Sequence, residues 1–141
     1  IEKVTGVYIP FWAYDLNACE NKVFKISRID WVEVLEDDWS EEQYHQKAKS
    51  DCFRMNGKDE YRIRLRLSSY AKNLLIEEYP MAEDILTEAC DGFWLLDTIV
   101  YSLAPVARFA LGLADEVAIM DSPELYNYVQ KFIEQHINKY L

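Results

Sequence analysis

The sequence predicts an α+β protein: a β-rich first part, then a ferredoxin-like βαββαβ domain that ends in an extra helix. Three observations carry this expectation. Residues Tyr61–Leu67 read YRIRLRL, three arginines alternating strictly with aliphatic residues, which is the period of a strand. After this heptad, strand-like and helix-like patterns alternate up to a final amphipathic stretch. Before residue 40, short aromatic and β-branched runs alternate with turn signals.

Taken in order, residues 7–14 are a candidate strand, with Pro10 placing it at an edge or bulge. Residues 17–21 (NACEN) suit a hairpin turn, and 23–29 and 31–35 suit further strands. Ser40, with Gln43 at the capping-box position, opens a short polar helix over 41–49. Residues 50–60 (SDCFRMNGKDE) are polar and aperiodic and read as a linker. The domains expected are therefore 1–39, a helix and linker over 40–59, and 60–141.

In the last of these, YRIRLRL is the first strand. Ser68 or Ser69 caps a helix whose apolar positions include Tyr70, Leu74, Leu75 and Tyr79, and Pro80 stops it. Residues 83–90 suit a strand, Asp91-Gly92 a tight hairpin turn, and 93–103 the returning strand. Pro105 starts a helix over 106–111 that Gly112 closes. Residues 116–120 suit a short strand. Ser122-Pro123-Glu124 then starts a helix with an apolar stripe at Leu125, Val129, Phe132, Ile133, Ile137 and Tyr140. In a split βαβ sheet the first strand is central, with helices on one face. Its aliphatic side would pack on the helices, and its arginines would look outward.

Composition narrows the function. The 141 residues are 50% hydrophobic with net charge −10, enough for a packed core and unlike a whole-surface nucleic-acid binder. No apolar run reaches the roughly 20 residues of a membrane span, so no membrane contact is expected. Cys19, Cys52 and Cys90 are odd in number and widely spaced, which suits free thiols in a reducing cytoplasm. The chain starts at Ile1, within what reads as a strand pattern. A fragment of a longer protein is expected.

No phosphate loop, nucleophile elbow or metalloprotease motif is present. His45 and His136 have no Cys or carboxylate at ligand spacing. No catalysis, metal or cofactor is expected. Two basic sets stand out. On one face of the strand expected around 23–29, Lys22 and Arg28 flank Phe24 and Ile26, which suits a phosphate-bearing ligand with a stacked base. The bland alternative is an edge strand guarded by charge. Arg62, Arg64 and Arg66 are either an anion-binding surface or a cross-strand ladder of ion pairs, with Glu88 or Asp97 as partners.

Residues 22–29 (KVFKISRI) with Trp31-Val32-Glu33 resemble the R-x-F-x-L-x-R-I segment of the WYL domain. Residues 61–68 (YRIRLRLS), Asp91-Gly92-Phe93, 117–123 (VAIMDSP), Glu124-Leu125 and the helix ending in Tyr140 resemble the WCX extension that follows it. The resemblance covers nearly the whole chain through order and spacing, and no single motif is diagnostic. It implies a partial Sm/SH3-like β-barrel followed by the ferredoxin-like domain. It further implies the effector-sensing and oligomerisation region of a bacterial transcriptional regulator, reaching DNA through a helix-turn-helix that this chain lacks. A nucleotide or nucleic-acid effector and a homodimer are the expected partners. The family's basic positions fall on Lys22 and Arg28, with Trp12 or Tyr14 nearby. The naming Trp-Tyr-Leu tripeptide is absent: Ile9-Pro10-Phe11 stands where spacing would put it. A purely structural dimerisation module is the competing reading.

Overall fold

The computed structural model describes residues 10–45 and 49–140. The chain is α+β, and it divides into two compact units, Ile1–Ala48 and Lys49–Leu141. Residues 1–9, on which the beginning of the expected first strand and Ile9 of the tripeptide position fall, lie outside the described residues. So do 46–48 of the expected helix.

The first unit holds an antiparallel hairpin of β1 (Pro10–Asp15) and β2 (Glu20–Lys25). Its turn is set by Asp15, whose Oδ1 accepts from the amides of Asn17 and Ala18 at 3.0 and 3.2 Å. An aspartate accepting from residues just ahead of it mimics a backbone turn. Cys19 then takes the left-handed conformation, φ 53°.

Three expectations fail here. The strand expected over 23–29 stops at Lys25, and Ile26–Arg28 wind into a 3-10 turn. Residues 31–35 form neither helix nor strand: their alternation suits a strand, but none of the described residues pairs with them. Among the described residues of the helix expected over 41–49, only the 3-10 turn Glu42–Tyr44 forms. Tyr44 and His45 are drawn onto the hairpin instead. The Tyr44 ring stacks on Tyr14, 5.9 Å between centroids, and His45 Nε2 lies 3.3 Å from the carbonyl oxygen of Trp12.

The second unit begins earlier than the linker reading allows. Asp51, Cys52 and Phe53 are buried. Asp51 Oδ1 accepts from the amides of Phe53 and Met55, and Oδ2 from that of Tyr101, all within 3.0 Å. A buried carboxylate that collects three amides ties this stretch to the rest of the unit, so 50–60 is not a free linker. Gly57 passes so close to Tyr101 that a Cβ would sit 3.1 Å from its carbonyl oxygen.

A four-stranded sheet follows in the order β4-β5-β3-β6, every neighbour antiparallel. Its strands are β3 (Tyr61–Leu67), β4 (Thr87–Glu88), β5 (Trp94–Val100) and β6 (Val117–Ile119). Helix α1 (Ser69–Glu78) joins β3 to β4, and α2 (Ala104–Gly112) joins β5 to β6. Helix α3 (Pro123–His136) closes the described chain with a last 3-10 turn. Ser68 caps α1, accepting from the Ala71 amide at 3.1 Å.

The strand expected over 83–90 shrinks to Thr87–Glu88. The amides of Ile85 and Leu86 both donate to the Ala82 carbonyl, so a tight turn uses up 83–86. Asp91 and Gly92 make the expected reversal into β5, both with positive φ. Ile63, Leu65 and Leu67 are fully buried with Ala71 and Leu75 of α1, Val106 of α2 and Leu125 of α3, in one cluster. Each large aliphatic side chain buried this way contributes about 2 kcal/mol. The even residues of β3 therefore point to the other face of the sheet.

Candidate functional site

The first expected site does not assemble. In the hairpin, Lys22 stands opposite Ala13, whereas Trp12 and Tyr14 stand opposite Val23 and Asn21. Alternation puts Lys22 and Phe24 on one face and both aromatics on the other. The aromatic face is engaged by its own chain: Tyr44 stacks on Tyr14, and Asn21 Nδ2 donates to the Tyr44 carbonyl at 2.8 Å. Lys22 Nζ donates to Asp15 Oδ2 at 2.7 Å and lies 3.4 Å from Glu20 Oε1. Its hydrogen bond to Asp15 raises the Lys22 pKa and lowers that of Asp15. Arg28 sits in the 3-10 turn beyond the strand, exposed, so it does not continue the Lys22–Phe24 face.

The arginines of β3 lie on the outer face of the second unit's sheet. Arg64 is directly opposite Asp97 of β5, and Arg62 and Arg66 are opposite Ile99 and Leu95. Asp97 serves two of them. Arg62 Nε and Nη2 donate to its two oxygens, both at 3.1 Å, a bidentate geometry that matches guanidinium to carboxylate. These bonds lower the Asp97 pKa, against the effect of partial burial. Arg64 Nη1 donates to Asp121 Oδ2 at 3.1 Å. The Arg64 Nε is buried without a hydrogen-bond partner and lies 3.8 Å from Asp97 Oδ2.

Arg66 meets no carboxylate among the described residues. Its guanidinium lies over the Phe93 ring, 4.7 Å from the centroid. Asp97 was legible as a partner from the sequence, whereas Glu88 forms no ion pair with these arginines among the described residues. Asp121 was missed. It follows β6 in the left-handed conformation, φ 39°, and an aspartate just before Ser-Pro was its only signal. The neighbouring Ser122 fixes the strand itself: the Arg64 amide donates to its Oγ at 2.7 Å, and the Oγ donates to the Met120 carbonyl at 2.6 Å.

The outer face thus carries three guanidiniums against two carboxylates, with exposed Ile99 and half-buried Leu95 between them. It can hold an anion at Arg66, whose guanidinium meets no carboxylate among the described residues. A separate concavity of about 340 Å³ lies among α2, β6 and α3, lined by Val117, Ile119, Val129 and Ile133 among others, and no charged residue lines it. It suits an apolar guest. Among the described residues, no cluster of His, Cys, Asp or Glu is arranged to hold a metal, and no helix is long and apolar enough to cross a membrane. No protein-family model, curated protein or solved structure matches this chain. The likeness to WYL and WCX segments rests on the residues quoted for it.

Proposed function

We propose that this chain is an effector-sensing and oligomerisation region of the kind that WYL–WCX segments supply to bacterial transcriptional regulators. It binds an anionic ligand, a nucleotide or single-stranded nucleic acid, and performs no chemistry. Two observations support the architecture this reading needs. The strand order β4-β5-β3-β6 with antiparallel neighbours supports the ferredoxin-like reading of the second unit. The helices join the strands in the sequence that the WCX resemblance implies.

The observation that carries the ligand is the outer sheet face, where Arg66 has an aromatic neighbour and, among the described residues, no carboxylate partner. A phosphate there gains charge-assisted hydrogen bonds from Arg66, and a base packs against the exposed Phe93 beside half-buried Leu95. Lys22 serves this role less well, because Asp15 and Glu20 already neutralise it. The oligomerisation part is favoured by α3, which leaves Tyr126, Phe132 and Ile133 exposed. Light scattering that finds only a monomer at high concentration removes that part.

Fluorescence anisotropy with short labelled oligonucleotides and nucleotides tests the ligand. Saturable binding that weakens with salt, and that Arg66→Ala weakens about tenfold, is expected for a lost charged contact. Lys22→Ala should change it little. Absence of saturable binding, or full affinity in Arg66→Ala, removes the reading.

A further inference from the structure

Residues 30–39 (DWVEVLEDDW) leave an unusual surface in water. Trp31, Val32, Val34 and Leu35 are 75, 77, 91 and 66% exposed, and Trp39 is 55% exposed. Asp30, Glu33, Glu36, Asp37 and Asp38 are interleaved with them, and no Lys or Arg occurs in the stretch. Residues 31–35 form neither helix nor strand. Among the described residues, none of these five carboxylates forms an ion pair. Scattered exposed apolar residues need no explanation, but a contiguous run of large ones marks an interaction surface.

We propose that residues 30–39 are a docking segment for a cationic, apolar face of another protein chain. Charge selects this occupant. Nucleic acid and anionic lipid are repelled by five carboxylates that meet no cation among the described residues. A second copy presenting the same segment would set those carboxylates against their equals, which cross-strand and interface pairing both disfavour. A small ligand would leave most of the apolar run in water. A partner with aliphatic groups between lysines or arginines satisfies both components at once. Trp31 and Trp39 are suited to anchor it, since buried tryptophans dominate interface energetics. The carboxylates steer its approach and make association salt-sensitive. The Val-Glu-Val alternation at 32–34 also suits pairing with a strand of the partner.

A labelled peptide of alternating Lys and Val, about eight residues long, is the probe, with an alternating Glu-Val peptide as control. Both are titrated with the full chain by anisotropy. The Lys-Val peptide should bind at least about tenfold more tightly than the control, and less tightly as salt rises. Trp31→Ser and the double substitution Glu33→Lys/Asp37→Lys should each weaken it by about tenfold or more. These side chains are exposed, so far-UV circular dichroism should stay unchanged. Equal binding of the two peptides overturns the proposal, and so does full Lys-Val affinity in the substituted chains, which would reduce the effect to the overall negative charge. A dimer that Trp31→Ser dissolves also overturns it and gives the segment to a second copy.

Discussion

Asp51 and Asp97 are both hydrogen-bonded carboxylates, and they do different work. Asp51 is 5% exposed and organises three backbone amides. Replacing it with alanine strands those donors, so Asp51→Ala should cost about 3 kcal/mol in chemical denaturation. A loss within experimental error would mean that 50–60 is the loose connector its composition suggests. Asp97 lies on the outer face, and the Arg62 hydrogen bonds depress its pKa below 3.8. A depressed carboxylate stabilises the fold above its unfolded pKa, and that contribution is lost as pH falls through the folded value. The stability gap between wild type and Asp97→Asn should therefore be constant above about pH 5 and shrink as pH drops below 4. A gap that widens on acidification would contradict the ion pair.

The two faces of β3 separate core packing from the proposed ligand surface at the scale of one element. Leu65 is fully buried, and Leu65→Ala should destabilise by about 3 kcal/mol through the lost burial and the cavity left behind. Arg66→Ala on the opposite face should stay within about 0.5 kcal/mol of wild type. Denaturant midpoints decide this, and a large loss in Arg66→Ala would make the stripe structural. β3 was legible because its alternation is strict and its inner face buries completely. The Asp91-Gly92 reversal was legible because such a turn demands positive φ. β4 was overextended because the apolar and polar spacing of 83–90 is the same in a strand as in the turn that folds back on Ala82. The described part of the helix expected over 41–49 reduces to a 3-10 turn because propensity and a capping pattern are weak beside the contacts that Tyr44 and His45 make with the hairpin. Lys22, Trp12 and Tyr14 were grouped by nearness in sequence, and the hairpin register sends them to opposite faces.

At the scale of the whole molecule, the buried core belongs to one unit. Among the described residues of Ile1–Ala48, no side chain is fully buried, whereas the second unit encloses a continuous cluster. The cysteines report on the second unit's core. Cys52 is 3% exposed, and burial pushes its pKa up to about 12, while Cys19 and Cys90 are exposed. A thiol-disulfide reagent near pH 8 should label two cysteines promptly and the third only after denaturant is added. Three equally fast thiols would deny the packing around Cys52 and Phe53.

The central claim is that the outer sheet face of the second unit receives the anionic ligand. Backbone amide chemical shifts, recorded with and without a saturating short oligonucleotide, test it most directly. The largest changes should fall on 62–66 and 93–99, with β1 and β2 nearly unmoved. Changes confined to the β1–β2 hairpin, or none at a concentration that saturates binding, would contradict it.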